Sequence, residues 1–333
     1  MDANEVRAAW ERAARRIADS PEGAAPPCRD EAPAFMGAPA AADPHGLEGA
    51  DAVVLGIPFA SLDPDVAAGP AAIRRRAAAV AAADPGGGAP EAVRRLEAAT
   101  AARLVDYGDV AADPDSVEAT FMRAHDKLAD IFAAGALPIV FGGDHSVTIP
   151  VLQVLAAKLA GKLGIVVFDA RLDLALEPRY RAGSQWARAF ELGVVEPANF
   201  VEIGIRETAE SDPCRMVADE LGVRVYPAAD VDELGIVAVA QEALEAAGAG
   251  TEAVYVSIDL GAVDAFDAEP APPLSAGLSA RELARAVRTL AGGRVAGLDV
   301  CGLAPSRDPQ GRLAGLAVIA ALEVLAGLAA QRP

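Results

Sequence analysis

The sequence predicts an α/β fold in which a parallel sheet of about eight strands is covered by helices on both faces. Short runs rich in β-branched residues recur along the chain, and most are apolar without alternation, as is typical of strands buried on both faces. Segments with helical spacing of apolar residues separate most of these runs. In addition, polar residues cluster just past several runs, where α/β proteins bind their ligands.

The predicted strands begin shortly after a long irregular N-terminal region and continue almost to the C-terminus. They cover residues 51–59, 103–110, 137–144, 163–170, 199–207, 223–231, 252–260 and 294–303. Helical patterns cover residues 116–135, 146–161, 279–293 and 311–331. The last of these contains a long apolar stretch that Glu323 interrupts, so we expect a buried helix rather than a membrane span.

The first 50 residues differ in composition from the rest of the chain. Residues 1–20 have a charged, helical pattern and lack the apolar region of a secretion signal. Residues 19–50 are rich in Pro, Ala and Gly without a sustained period, which indicates an arm on the surface. We therefore expect an N-terminal helix and surface arm over residues 1–50 and a single domain over residues 51–333.

Charge and cysteine content limit the expected partners and compartment. The net charge is −19 without a basic cluster, so neither nucleic acid nor an anionic membrane is an expected partner. Neither a dinucleotide-binding glycine motif nor a Walker loop occurs, so nucleotide binding is not expected either. Cys28, Cys214 and Cys301 form no Cys-x-x-Cys pair, which fits a reducing compartment and predicts a cytoplasmic protein.

Polar residues follow three of the predicted strands. His145 lies in the segment GGDHS, Asp169 and Asp173 lie in FDARLD, and Asp259 and Asp264 lie in SIDLGAVD. Because ligands bind at the carboxyl ends of parallel strands, we expect these side chains to converge. Carboxylates together with an imidazole form a hard, oxygen-rich set that suits Mn²⁺ or a similar divalent ion.

Each of these residues also has a structural interpretation. A histidine at such a turn can cap the next helix, and an aspartate at a strand end is often a turn or cap residue. Asp144 precedes His145 and could orient its ring or cap the helix itself. Arg171 stands between Asp169 and Asp173, where it could form a buried ion pair or replace a ligand of a metal site.

In this order and at these separations, GGDHS, FDARLD and SIDLGAVD resemble the three metal motifs of the ureohydrolases, the arginase and agmatinase family. The resemblance extends to LGIPF at 55–59, GPAAIR at 69–74, EIGIRE at 202–207 and VAGLDVCGLAP at 295–305. It implies a three-layer α/β/α fold around a central eight-stranded parallel sheet, assembled as trimers or hexamers. It also implies hydrolysis of guanidino groups to urea by hydroxide that bridges two Mn²⁺ ions.

The resemblance implies a degenerate dimanganese site. One ion would be held by a complete set of ligands, His145, Asp169, Asp173 and Asp259. The second ion would need a histidine and an aspartate where this chain has Arg171 and Gly261. Arginine stays protonated and glycine has no side chain, so the second ion has lost both of its own ligands. We therefore expect a divergent member that holds at most one Mn²⁺ ion, or none.

Two further family motifs differ in this chain. Ala182 takes the position of the histidine that serves acid/base chemistry in the family. The segment AEPAPPLSAGL at 268–278 replaces the motif whose glutamate meets the guanidinium group. Glu269 or Asp267 could substitute for that glutamate, and Asp264 and Glu269 are the candidate substrate-binding residues.

Two functions follow from these observations. The first is an enzyme that hydrolyses a C–N bond of a small guanidine, amidine or amide, with Arg171 and Asp144 as candidate catalytic residues. One divalent ion plus Arg171 would balance the charge of about −3 on three carboxylates, and Arg171 could hold an anionic group of the substrate. The alternative is an inactive family member in which Arg171 bridges the carboxylates without a metal. Such a protein would bind a ligand or support an active homologue in a hetero-oligomer, whereas an enzyme is expected to be a homo-oligomer.

Overall fold

The computed structural model describes residues 32–82, 99–159, 163–177, 180–206, 212–264 and 277–331. Its centre is an eight-stranded sheet made of β1 (Ala52–Ile57), β2 (Leu104–Asp109), β3 (Leu137–Gly142), β4 (Leu163–Phe168), β5 (Phe200–Ile205), β6 (Arg224–Pro227), β7 (Ala253–Asp259) and β8 (Val295–Cys301). The strand order is β2-β1-β3-β8-β7-β4-β5-β6, and every neighbouring pair is parallel. The predicted eight-stranded parallel sheet is confirmed.

Helices cover both faces of this sheet. The described helices are α1 (Gly69–Ala82), α2 (Val117–Ala133), α3 (Thr148–Leu159), α4 (Gln185–Glu191), α5 (Pro213–Leu221), α6 (Ala228–Leu234), α7 (Ile236–Gly248), α8 (Ala280–Leu290) and α9 (Arg312–Ala330). Val54 and Ile139 pack with α1, α7, α8 and α9 on one face, whereas Val53 and Val140 pack with α2, α3 and α4 on the other. Because successive strand residues point to opposite faces, the apolar runs supply both cores, and the predicted three-layer arrangement is confirmed.

All eight strands are shorter than the runs predicted from the sequence, and β6 differs most. The run 223–231 was expected to be extended, but β6 ends at Pro227 and α6 begins at the next residue. The segment AADVDEL contains good helix formers, and Asp230 lies in the first turn, where a negative charge interacts favourably with the helix dipole. Local helix propensity therefore ends the strand.

The C-terminal helix α9 is the one described helix that is long and apolar enough to cross a membrane. Within its most apolar window, 56% of the residues are buried inside the protein. Glu323, the charge that interrupts the apolar stretch, is buried and accepts a hydrogen bond of 3.0 Å from Arg288 of α8. These contacts favour the expected core helix.

The predicted N-terminal helix lies outside the described residues, but residues 32–50 are described as two short 3₁₀ turns and connecting backbone. This segment runs along β2, where the Ala41 N–H donates to the carbonyl of Asp106 at 2.9 Å. Phe35 and Leu47 are fully buried, one in each core. The segment is therefore anchored by apolar side chains, and the domain boundary at residue 50 stays a prediction.

A buried ion pair joins α1 to β2. Arg74 donates to both carboxylate oxygens of Asp106, from Nε at 2.8 Å and from Nη2 at 2.9 Å, and Nη1 contacts Asp109. Both Arg74 and Asp106 are nearly inaccessible to solvent. The geometry is bidentate, and the Asp106 carboxylate also accepts hydrogen bonds from the backbone N–H groups of Phe35 and Gly108. The arginine of the GPAAIR segment thus has a structural role.

Candidate functional site

The site forms at the carboxyl ends of the central strands. In the sheet, β4 and β7 are adjacent, and Phe168 pairs with Ile258, so the next residues, Asp169 and Asp259, lie side by side. His145 begins the 3₁₀ turn that follows β3. The preceding turn needs Gly143, because a Cβ there would lie 1.9 Å from the carbonyl oxygen of Phe59.

The structure brings together the four residues that the sequence predicts as metal ligands. Nδ1 of His145 lies 3.0 Å from Oδ2 of Asp169, 3.7 Å from Oδ2 of Asp259 and 4.0 Å from Oδ2 of Asp173. Ligand atoms of His145, Asp169 and Asp173 all lie within 4.8 Å of one another. An imidazole and carboxylates at these separations are a donor set that fits one divalent cation.

Asp173 reaches this cluster through an unusual backbone conformation. Its φ angle of +47° lies in the left-handed region, which non-glycine residues seldom adopt and which Asp and Asn tolerate best. Its Oδ2 accepts a hydrogen bond of 2.6 Å from Nε2 of Gln185, the first residue of α4. The conformation and this hydrogen bond together fix the carboxylate beside the imidazole.

A buried network behind the imidazole fixes its orientation. Nε2 of His145 lies 2.8 Å from Oγ of Ser257, and Ser257 donates to Oδ1 of Asp299 at 2.6 Å. Asp299 accepts two further hydrogen bonds of 2.7 Å on Oδ2, from Thr148 and Tyr255. With Ser257 as the acceptor, the proton stays on Nε2, and Nδ1 faces the carboxylates.

None of the sequence motifs predicts this network. Ser257 lies within β7 and Asp299 within β8, and both are fully buried. The available signal was the presence of polar residues inside apolar strand runs, because buried polar groups need partners.

The clustered charges shift the pKa values of the site. Burial lowers the pKa of His145, but the hydrogen bond to Asp169 and the nearby carboxylate charges outweigh burial and raise it to about 10. Burial and the charge of Asp169 raise the pKa of Asp173 to about 6 and that of Asp259 to about 7. The metal-free cluster is therefore short of positive charge, which a divalent cation would supply.

A further buried carboxyl group lies close to this cluster. Glu202 on β5 is fully buried, and neither of its carboxyl oxygens has a hydrogen-bond partner among the described residues. Burial, together with the charges of Asp169 and Asp173, raises the pKa of Glu202 well above its usual value. This favours the neutral acid.

Asp259 is held by backbone rather than by a second carboxylate. Its Oδ1 accepts a hydrogen bond of 2.6 Å from the N–H of Gly261, the position at which the family resemblance implies an aspartate. Gly302 packs against the same carboxylate with a φ angle of +80°, and a Cβ there would lie 2.6 Å from Oδ1 of Asp259. Both glycines permit this close approach.

Arg171 is exposed at the edge of the cluster. Its backbone N–H donates to Oδ1 of Asp169 at 3.0 Å, and its side chain lines the cavity above the cluster. Its charge also acts on Asp173, where it is the smallest of the influences that lower the pKa of that carboxyl. Arg171 therefore contributes positive charge from the edge of the site.

The other predicted site residues lie in different surroundings. Asp144 accepts hydrogen bonds from the backbone and hydroxyl groups of Ser61 and Ser146, so it holds the turn that carries the imidazole. Asp264 is exposed, and its backbone N–H pairs with the carbonyl of Leu278. Glu269 lies outside the described residues. The catalytic and substrate-binding roles of these residues stay predictions.

A cavity of about 440 Å³ opens above the cluster and is large enough for a small molecule. Ala182 and Arg181 line it, together with the charged side chains of Asp63, Asp212 and Arg307, which the sequence motifs do not identify. Asp63 lies in the loop after β1 and Arg307 in the loop after β8. Because ligands bind at the carboxyl ends of parallel strands, the positions of these residues in the sequence could have identified them. A second cavity of about 500 Å³ lies beside β2, and its described lining contains no carboxylate or histidine.

Comparison with known proteins identifies the family. Residues 50–327 match the model of the arginase family. Guanidinopropionase of Pseudomonas aeruginosa is 33% identical over 242 residues, which are 71% of this chain and 75% of that protein. The structure of proclavaminate amidinohydrolase from Streptomyces clavuligerus has a TM-score of 0.76 at 29% identity and covers 91% of this chain and 99% of that one. A formiminoglutamase from Trypanosoma cruzi, solved with Mn²⁺, shares the fold at a TM-score of 0.72 and 22% identity, over 91% of this chain and 100% of that one. The chain therefore belongs to the arginase family.

Proposed function

We propose that the protein is an amidinohydrolase that cleaves a C–N bond of a guanidino compound and holds a single divalent ion. The ligands of that ion would be His145, Asp169, Asp173 and Asp259. The observation that carries the proposal is the convergence of these four side chains, three of which, His145, Asp173 and Asp259, line a cavity of about 440 Å³. The raised pKa values of two of the carboxyl groups add support, since a bound cation would relieve their repulsion.

The relatives support this reaction class. Guanidinopropionase and proclavaminate amidinohydrolase both have names that denote hydrolysis of guanidino compounds, and both match most of this chain. We propose Mn²⁺ as the ion because the formiminoglutamase of the same fold was solved with it and because imidazole and carboxylate ligands suit it. When bound, such an ion acts as a Lewis acid on a substrate or on water.

The residues of this chain would divide the remaining work. The hydrogen bond from His145 to Ser257 presents Nδ1 to the carboxylates, and Gln185 holds Asp173 in place. Arg171 would contribute charge where the family resemblance implies a second metal ion. Ala182 provides no acid or base, so proton transfer has to use other groups of the cavity.

Elemental analysis and a substrate panel test the proposal together. Protein loaded with Mn²⁺ and then desalted should retain about one ion per chain, because one complete ligand set is present. Urea release should be measured with 3-guanidinopropionate, 4-guanidinobutyrate, arginine and agmatine. Asp259→Ala should lose the ion and the turnover, whereas Asp126→Asn, which changes an exposed carboxylate on α2, serves as the matched control. Two retained ions would refute the single-metal site, and full turnover by Asp259→Ala would refute its role.

The alternative prediction, an inactive subunit or ligand-binding protein, rests on Arg171, Gly261 and Ala182, which take positions where the family resemblance implies functional residues. We propose a homo-oligomer in the cytoplasm as the working state. Sedimentation analysis of the purified chain would test the homo-oligomer. Co-purification of an active homologue with the protein from its native source would instead support the alternative.

A further inference from the structure

Two loops join to form one wall of the cavity above the predicted metal ligands. The loop after β1 contains a 3₁₀ turn at Pro64–Ala68, and the loop after β8 contains one at Pro305–Arg307. Nη2 of Arg307 donates to Oδ2 of Asp63 at 2.5 Å. Ser306 donates to Oδ2 of Asp65 from its backbone N–H at 3.1 Å and from its hydroxyl at 2.6 Å. These contacts hold the Arg307 side chain at the cavity.

Arg307 has hydrogen-bonding capacity that the described protein groups do not use. A guanidinium group carries five N–H donors. Among the described residues, Asp63 accepts a hydrogen bond from Nη2 of Arg307, and no other nitrogen of this guanidinium group donates to a described residue. The buried Nε has no partner among the described residues. The side chain is 30% exposed and lines the cavity, so a ligand can approach its guanidinium group. Arg181, in contrast, commits both Nε and Nη2 to Glu177.

The cavity lining combines acidic, basic and apolar side chains. Asp173, Asp259 and Arg307 line it, and so do the apolar side chains of Leu62 and Leu313. A molecule with a cationic guanidino end, a short hydrocarbon linker and an anionic end would match these three kinds of side chain. Arginine binds carboxylates with two parallel hydrogen bonds, which gives both affinity and geometric selection.

We infer that Arg307 binds the carboxylate of the substrate and that Asp63 positions its guanidinium group, so that the protein selects ω-guanidino carboxylic acids. This inference rests on the proposed function, because it assigns a binding residue to the carboxylate end of the same substrate whose guanidino end would lie at the predicted metal ligands. Asp63 is the partner that prevents the guanidinium from turning away. The ion pair also lowers the pKa of Asp63, so Asp63 stays charged at neutral pH.

Equilibrium binding separates this inference from the proposed reaction. Calorimetric titration of the full chain should be done with a chelator, so that the ligand is not turned over, and should use 3-guanidinopropionate and, as a probe without the carboxylate, n-propylguanidine. Arg307→Met should weaken binding of 3-guanidinopropionate by about 10- to 100-fold, the loss expected for a charge-assisted hydrogen bond, and should change binding of n-propylguanidine less than about twofold. Arg307→Lys should recover part of the loss. Arg281→Met removes an exposed arginine of α8 and is the control for net charge.

The outcomes distinguish the two claims. Equal weakening of both probes by Arg307→Met would show that Arg307 only maintains the loops, and this would overturn the inference. Failure of the wild-type protein to bind 3-guanidinopropionate, or unchanged binding by Arg307→Met, would overturn it as well. Selective loss of 3-guanidinopropionate binding without urea release from any guanidino compound would support the carboxylate site and refute the proposed hydrolysis.

Discussion

In the metal-free protein, the charge of Asp173 destabilises the folded state, and Asp173→Asn tests this. The substitution removes the charge while keeping nearly the same shape. Asparagine also tolerates the φ angle of +47° and retains an oxygen that can accept the hydrogen bond from Gln185. Whatever change in stability follows can therefore be attributed mainly to the charge.

The magnitude follows from the pKa of this carboxyl group. Burial and the charge of Asp169 raise the pKa of Asp173 from 3.8 to about 6. A difference of one unit between the folded and unfolded pKa values corresponds to about 1.4 kcal/mol. The ionised Asp173 therefore destabilises the folded state by about 3 kcal/mol above pH 6. Below pH 3.8 both states are protonated and the cost vanishes. Between these values the unfolded chain loses its proton first, so the stability of the folded protein falls as the pH rises.

Urea unfolding with a chelator should show this directly. At about pH 7.5, Asp173→Asn should be more stable than the wild-type protein by up to about 3 kcal/mol, and the difference should disappear near pH 4. With Mn²⁺ at about 1,000 times its Kd the order should reverse, because a ligand at that concentration stabilises the protein that binds it by about 4.1 kcal/mol, which is more than the charge of Asp173 costs. Asp126→Asn, an exposed carboxylate on α2, is the control. A chelated Asp173→Asn protein that is less stable than the wild type, or equal stabilisation of both by Mn²⁺, would refute the reasoning.

Three other substitutions test the supporting structure. Asp299→Asn should weaken Mn²⁺ binding by about 10- to 100-fold in equilibrium dialysis, because it disturbs the network that orients His145; unchanged affinity would contradict that role. Arg74→Met leaves Asp106 buried without its guanidinium partner, so it should lower the free energy of unfolding, measured in urea, by about 3–5 kcal/mol. A decrease below about 1 kcal/mol would show that the ion pair is dispensable. Gly302→Ala places a Cβ 2.6 Å from a carboxylate oxygen of the predicted metal site and forces a strained φ angle. It should therefore lower the number of Mn²⁺ ions retained after desalting, and full retention would argue against the close approach.

The architecture was predictable because its strands are unusually easy to recognise. A parallel sheet covered on both faces needs strands that are apolar on both sides, and most of the eight runs meet that condition, which is why they could be located. The end of β6 was not predictable from apolar runs alone, since the residues after Pro227 suit a helix as well as a strand. Local propensity and tertiary packing decide such boundaries together.

The convergence of the site was predictable for the same reason, whereas its details were not. Asp169 directly follows β4, Asp259 ends β7, and His145 begins the turn after β3, so a parallel sheet must place them at one edge. The contact between Ser257 and Asp299 depends on which strands are neighbours, and the order β3-β8-β7-β4 is a property of the topology rather than of any single segment. The same is true of the loops that place Arg307 at the cavity.

The exposure of Arg171 changes the charge balance inferred from the sequence. An exposed guanidinium is screened by water, so it offsets the buried carboxylates less than a buried ion pair would. The raised pKa values of Asp173 and Asp259 show the remaining deficit of positive charge, and the metal-free protein meets part of it by keeping His145 protonated. A divalent ion at this site would have to displace that proton, because the imidazole binds metals in its neutral form. Metal binding should therefore release protons and strengthen as the pH rises, a dependence that an arginine-filled site without a metal would not show.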